Sequence, residues 1–346
     1  MRDAICCGIC TKAIIVFFML VKAIPLILFS LIIGVLIGRS TVSKVKVQTA
    51  KSSEVEEVRI SGYKFISPLL ECEVNKDSYK LIGLNTLQRE LDTFIQNQKA
   101  AGVINDAAIY FRDLNNGPWF GVNEHTAFSP ASLLKLPVMM AYFKKAETDP
   151  SILEKRIKYQ ASDPLLGQEV DPKNQIQVGQ AYTVEELIER MMIYSDNAAL
   201  TVLEDNIDPA LIDKVTLDLG VETATDTTPV DFMSVKGYAG LFRILYNASY
   251  LEKEFSEKAL EIMSKSDYKD GIVAGLPSGI SVSHKFGERQ LAENSFQLHD
   301  CGIIYWPKSP YLLCVMTRGN NFESLGGFIR NASKIVYEGI EKKAKK

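Results

Sequence analysis

A serine and a lysine three residues apart, Ser132 and Lys135, carry the plainest chemical potential in this sequence. They lie in the run Phe128-Ser129-Pro130-Ala131-Ser132-Leu133-Leu134-Lys135. Ser129 can cap a helix and Pro130 suits its first position, so a helix is expected to begin here. Ser132 then falls in the first turn, where free backbone N–H groups and the positive end of the helix dipole favour a developing oxyanion. Lys135 follows at i, i+3, within reach of the hydroxyl. Serine is a weak nucleophile until a base takes its proton. The neighbours Leu133, Leu134, Leu136, Val138, Met139, Met140, Tyr142 and Phe143 make this helix apolar nearly all round, which predicts burial. Burial disfavours the ammonium and pushes Lys135 toward the neutral, proton-accepting form.

Ser-x-x-Lys alone is a frequent accident and needs partners. They follow in order. Tyr194-Ser195-Asp196-Asn197 comes after a helix rich in apolar residues. There Ser195 can pass a proton to a leaving nitrogen, and the Asn197 amide can orient substrate and Lys135. Asp196 is expected to hold the loop by hydrogen bonds to backbone. Further on, His284-Lys285-Phe286-Gly287 ends an expected strand. It places a cation beside the cleft and a small residue where backbone can approach substrate. His284 adjoins Lys285 and is expected either to line the cleft or to be satisfied by local hydrogen bonds.

Other chemistries have little support. His125, His284 and His299 are the only histidines, and no G-x-S-x-G elbow accompanies them. Six cysteines, Cys6, Cys7, Cys10, Cys72, Cys301 and Cys314, do not spell out a disulfide framework, since three crowd the first ten residues. Cys7 and Cys10 form a C-x-x-C without a second pair or a histidine at metal spacing. An inert or acylated cluster beside a membrane is the better reading of the three. A formal net charge of −3 with both signs mixed leaves no basic stripe for nucleic acid.

Several elements must position these residues. Residues 84–101 carry Leu87, Leu91, Phe94 and Ile95 on one helical face and stop at Gly102. Residues 107–111 and 119–122 are short β-type runs around Asn115-Asn116-Gly117, a hairpin signal. Residues 281–286, 301–306 and 311–317 form a second strand group, followed by an amphipathic helix from about Phe322. The stretch between is mainly helical, including 184–194 and 235–246. Strands at both ends with helices between are expected to give one sheet formed from distant segments, with a helical subdomain inserted.

Ahead of that domain, residues 13–38 are nearly all apolar apart from Lys22, long enough to cross a bilayer, and lack a small-x-small cleavage site. The expected organisation is a short segment at 1–12, a transmembrane anchor at 13–38, a polar linker at 39–58 and the folded domain at 59–346. Basic residues on both flanks of the apolar stretch leave its orientation open.

The ordered set Ser132-x-x-Lys135, Ser195-Asp196-Asn197 and Lys285-Phe286-Gly287 resembles the signature of class A β-lactamases and penicillin-binding proteins, over about residues 84–341. The resemblance implies the fold class α/β (α+β sandwich), an antiparallel sheet flanked by helices with an inserted all-helical subdomain, and an active site between the two. Ser132 would form the acyl-enzyme, with Lys135 as base or relay and Ser195 as proton shuttle. Asn197 would bind substrate, and Lys285 would attract its carboxylate. Backbone N–H groups of Ser132 and Glu288 would form the oxyanion hole, with Gly287 beside them. It implies no metal or other cofactor, and a β-lactam or peptidoglycan-type peptide as substrate. It also places the domain outside the cytoplasm. Two departures stand out. Asp226-Thr227-Thr228-Pro229 resembles the family's Asp-Thr-Thr-like segment, yet only residues 221–225 separate it from Leu219-Gly220, so the loop bearing the deacylating glutamate is largely missing. Glu222 is the nearest substitute, and a surface role suits it better. Phe286 stands where the family offers a hydroxyl, and an aromatic ring cannot hydrogen-bond a carboxylate. A β-lactamase, a D-Ala-D-Ala carboxypeptidase or penicillin-binding protein with slow deacylation, and a non-catalytic binding protein on the same fold all remain open at this point.

Overall fold

The computed structural model describes residues 58–59, 62–71, 84–115, 117–160, 175–221 and 227–344, all within the compact unit Val55–Lys346. The apolar stretch at 13–38, its flanks, Cys6, Cys7, Cys10, Cys72, Glu222 and Asp226 lie outside the described residues. Among the described residues no helix is long and apolar enough to cross a membrane.

Helix α1 (Asn85–Ala100) buries Leu87, Leu91 and Ile95, and Gly102 follows with φ +70°, a left-handed stop that only glycine adopts without strain. Strands β1 (Asp106–Asp113) and β2 (Trp119–Val122) form the expected hairpin. A helical block comes next: α2 (Lys135–Ala146), α3 (Val184–Ile193), α4 (Asn197–Glu204), α5 (Pro209–Asp218), α6 (Val235–Tyr246) and α7 (Lys253–Ser264). The chain returns through β3 (Val282–Ala292), β4 (Ser295–Ile304) and β5 (Tyr311–Gly319), and ends in α8 (Phe322–Ala344).

The five strands make one antiparallel sheet in the order β2-β1-β5-β4-β3. The first hairpin thus joins the last strand, with Ile109 opposite Val315. Alternation along each strand serves two cores. Ile109, Phe111, Leu313 and Val315 meet α1 and α8 through Leu91, Phe328 and Val336. Ala108, Tyr110, Leu312 and Met316 share the other cluster with Leu136, Met140, Leu187 and Phe242 of the helical block. The sheet is thus covered on both faces, by α1 and α8 on one and by the helical block on the other.

Two expectations are corrected. Strand β4 begins at Ser295 rather than Cys301, because the polar stretch ahead of Cys301 pairs with both neighbours, and Gln297, His299 and Asp300 are buried there with hydrogen-bond partners. The cysteines also hold a bridge that their spacing does not announce: Cys301 and Cys314 sit directly opposite on β4 and β5 and are disulfide-bonded.

Candidate active site

The nucleophile turn is tighter than the sequence suggests. Residues Ala131–Leu134 form a single 3₁₀ turn that runs directly into α2, whose first residue is Lys135. Positions i and i+3 eclipse in 3₁₀ geometry, and Lys135 Nζ stands 3.1 Å from Ser132 Oγ. Pro130 immediately precedes the turn and no side chain caps it, so Ser129 is not the expected cap. Its hydroxyl instead accepts a hydrogen bond from Arg289 Nη1 at 3.2 Å. Ala131 has φ +48°, a left-handed conformation costly for a residue with a side chain.

The second element is the bend between α3 and α4. Ser195, buried and also left-handed at φ +59°, turns both its carbonyl and its hydroxyl toward Lys135. Asp196 makes this bend possible. Its Oδ1 accepts from the Ala198 and Ala199 N–H groups at 2.9 and 3.3 Å, and Oδ2 from the Ile176 N–H at 3.1 Å. It caps α4 in the structural role expected of it. Asn197, the first residue of α4, presents Oδ1 to Lys135.

Lys135 Nζ thus has four acceptors: Ser132 Oγ at 3.1 Å, Ser195 O at 2.5 Å, Ser195 Oγ at 3.0 Å and Asn197 Oδ1 at 2.6 Å. Burial pushes its ammonium down to about 7, against the opposing fields of Asp196, Glu288 and Glu204. On the sheet side, Lys285 in β3 has no exposed surface and donates to Ser195 Oγ at 3.0 Å and to the Phe286 carbonyl at 2.8 Å. Burial, and then the nearby Lys135, hold Lys285 well below the usual lysine range. A continuous polar path therefore runs Ser132, Lys135, Ser195, Lys285.

The other expected residues are close by. An atom added as Cβ on Gly287 would lie 3.0 Å from Leu133 Cγ and 3.1 Å from the Pro130 carbonyl, so this glycine lets β3 pass against the nucleophile turn. Glu288 lines the cleft beside Ser132. Phe286 points to the opposite sheet face and stacks on Tyr268 at 4.4 Å. His284 is wholly buried with Nδ1 2.8 Å from Asp300 Oδ1 and is not among the residues lining the cleft, so it is bonded locally through one ring nitrogen, while Nε2 has no hydrogen-bond partner among the described residues.

The cleft has a volume of about 750 Å³. Beyond Ser132, Lys135, Asn197 and Glu288, its walls include Leu200 and Glu204 of α4 and the β3–β4 hairpin residues from Arg289 to Glu293. Sequence reasoning missed these. The signal was present for α4, where Asn197, Leu200 and Glu204 recur at i, i+3, i+7 on one face. Burial raises the Glu204 carboxyl, ahead of Asp205, while Lys135 acts to lower it.

Comparison with known proteins identifies the fold and the family. Solved structures sharing the fold include PBP-A, 23% identical with a TM-score of 0.63 over 75% of this chain and 97% of its own. A class A β-lactamase from Mycobacterium abscessus is 21% identical with a TM-score of 0.63, over 74% of this chain and 99% of its own. A β-lactamase from Sphaerobacter thermophilus is 20% identical with a TM-score of 0.62, over 75% of this chain and 97% of its own. The model of the β-lactamase enzyme family matches residues 86–340, a span that takes in the nucleophile turn, the Ser195 bend and β3, and the chain belongs to that family.

Proposed function

We propose that the protein is a membrane-anchored serine acyl-hydrolase that opens a β-lactam or related amide through Ser132. The observation that carries this reading is the 3.1 Å approach of Lys135 Nζ to Ser132 Oγ, with Lys135 held near neutrality by burial. In the free-base form, Lys135 accepts the Ser132 proton as Oγ attacks the amide carbon. The C–N bond breaks, and the proton returns through Lys135 and Ser195 to the departing nitrogen. The product is an ester on Ser132. Water then cleaves that ester, and Ser132 regains its hydrogen. Backbone N–H groups of Ser132 and Glu288 are the proposed oxyanion donors.

The peptidase-like variant of this reading, with slow deacylation, is supported by the sequence, where only residues 221–225 stand between Leu219-Gly220 and Asp226-Thr227-Thr228 and the loop that carries a deacylating glutamate is largely missing. Activating the deacylating water needs a base within hydrogen-bond reach of it. Incubating the full-length protein in detergent with a chromogenic cephalosporin separates the outcomes. A Ser132-dependent burst followed by turnover supports a β-lactamase, and a burst without turnover supports a penicillin-binding peptidase. A burst that is unchanged in Ser132→Ala sinks the assignment, and no burst at all points to another substrate or to a binding role. The anchor at 13–38 is tested separately, by whether deleting it releases the protein from washed membranes.

A further inference from the structure

The residue three positions before the nucleophile is held more firmly than any capping role requires. Ser129 is fully buried, and its three polar groups all bond to side chains from the far strands. Its N–H donates to Gln297 Oε1 at 2.9 Å, its hydroxyl accepts from Arg289, and its carbonyl accepts from His299 Nε2 at 2.9 Å. Gln297 and His299 are i, i+2 on β4 and so share a face, bracketing the amide and carbonyl of one residue.

The partners of His299 fix its chemistry. Nε2 faces a carbonyl, which only accepts, while Nδ1 takes the Thr317 N–H at 3.2 Å, which only donates. Both bonds can form only with a neutral ring protonated on Nε2. The ring is fully buried with the Phe128 ring edge-on at 5.6 Å. The charged groups acting on it are Asp231 and Arg318, themselves paired at 3.1 Å. Asp231 also accepts from Gln297 Nε2 at 2.8 Å, which closes the network on both sides of Ser129.

Between Ser129 and Ser132 stand Pro130 and the left-handed Ala131. A strained residue of this kind persists only where its surroundings over-determine it. Here one side is the Ser129 anchorage and the other is Gly287, which abuts Pro130 and Leu133. We propose that His299 is a positioning residue for Ser132: by holding the Ser129 carbonyl it keeps Ala131 left-handed and aims the nucleophile. The effect passes through the backbone, since the hydrogen bonds of the His299 ring go to the Ser129 carbonyl and the Thr317 N–H.

The test rests on Ser132 being the acylated residue and uses the full chain in detergent with a fluorescent penicillin. Labelling stoichiometry counts correctly folded molecules, and the rate reads the aim of the nucleophile. His299→Leu is expected to label to full stoichiometry about tenfold or more slowly, since small misplacements of reacting groups carry losses of that order. His299→Gln, whose amide can donate to the same carbonyl, should recover most of the rate. If His299→Leu does not fold, His299→Asn gives the same comparison, being polar but too short to reach Ser129. A wild-type rate in His299→Leu or His299→Asn, a His299→Gln rate as low as theirs, or a loss confined to stoichiometry overturns the proposal. A crystal structure of the same variant decides independently of labelling, and therefore separately from the functional reading. Ala131 relaxing from positive φ is expected, and Ala131 unmoved refutes the role.

Discussion

Lys135 and Lys285 share a single acceptor, each placing Nζ 3.0 Å from Ser195 Oγ. Two ammonium groups meeting at one buried hydroxyl repel each other where little water screens them. The arrangement favours at least one free base, and the downward shifts of both lysines agree in direction. One hydroxyl thus couples the helical side of the cleft to the sheet side.

On the proposed mechanism Lys135 acts as base in its unprotonated form, so the acylation rate should rise with pH through a midpoint near 7. Lys135→Ala should remove that limb and slow acylation by about 10²–10⁴-fold. Glu204→Gln should move the midpoint to lower pH, since the Glu204 carboxylate favours the ammonium. Stopped-flow labelling at a series of pH values checks all three.

Ser195 contributes a hydroxyl to the proton path and a carbonyl to Lys135, and only the first belongs to its side chain. Ser195→Gly keeps the left-handed backbone without strain, whereas Ser195→Ala keeps the strain. Acylation should fall by about 10²-fold or more in both if proton transfer limits the step. Equal stability with unequal rates would assign the loss to backbone geometry instead.

Gly287→Ala should push the nucleophile turn, since the new methyl would lie 3.0–3.2 Å from Leu133 and Pro130 atoms. Overpacking of this kind costs about 1–3 kcal/mol. Acylation is expected to fall further than the stability change explains, as measured by denaturant unfolding beside labelling kinetics.

Burial pushes the His299 imidazole down to about 4, against the opposing bonds of Ser129 and Leu298. The unfolded chain takes up its proton near the ordinary histidine value, so this residue's contribution is present above about pH 6.5 and is lost as pH falls toward 4. Unfolding free energy should be about 2 kcal/mol lower at pH 5 than at pH 7 on this account. In His299→Gln that component should vanish from urea titrations at the two pH values.

The sheet and its helices were legible because periodicity survives wherever apolar side chains face a core, as in β1, where Ala108 and Tyr110 face one cluster and Ile109 and Phe111 the other. Ser132, Lys135, Ser195 and Asn197 were legible because their chemistry is local, set by helix spacing and a capping aspartate. The start of β4 was not. Gln297, His299 and Asp300 fall outside the expected strand, yet they are buried because each satisfies backbone brought from elsewhere in the chain: Ser129 for the first two and Ile272 for the third. Long-range polar contacts leave no periodic trace. Phe286 turns away from the cleft by the alternation that points Lys285 into it, and its stacking partner Tyr268 lies in a loop that carries no periodic signal.

The pairing of β1 with β5 has a consequence for synthesis. Asp113 finds its partner at Tyr311, and Asp106 at Arg318, so the first hairpin leaves the ribosome long before the strand that completes its sheet. Until then it exposes an unpaired edge, the kind of surface that invites association between chains. Such high contact order makes closure slow, and protection by a chaperone during translation would matter most over this interval. A chain cut short within β5 would retain Ser132 and Lys135 while lacking the strand that seats β4, and with it β3 and Lys285, against the rest of the sheet.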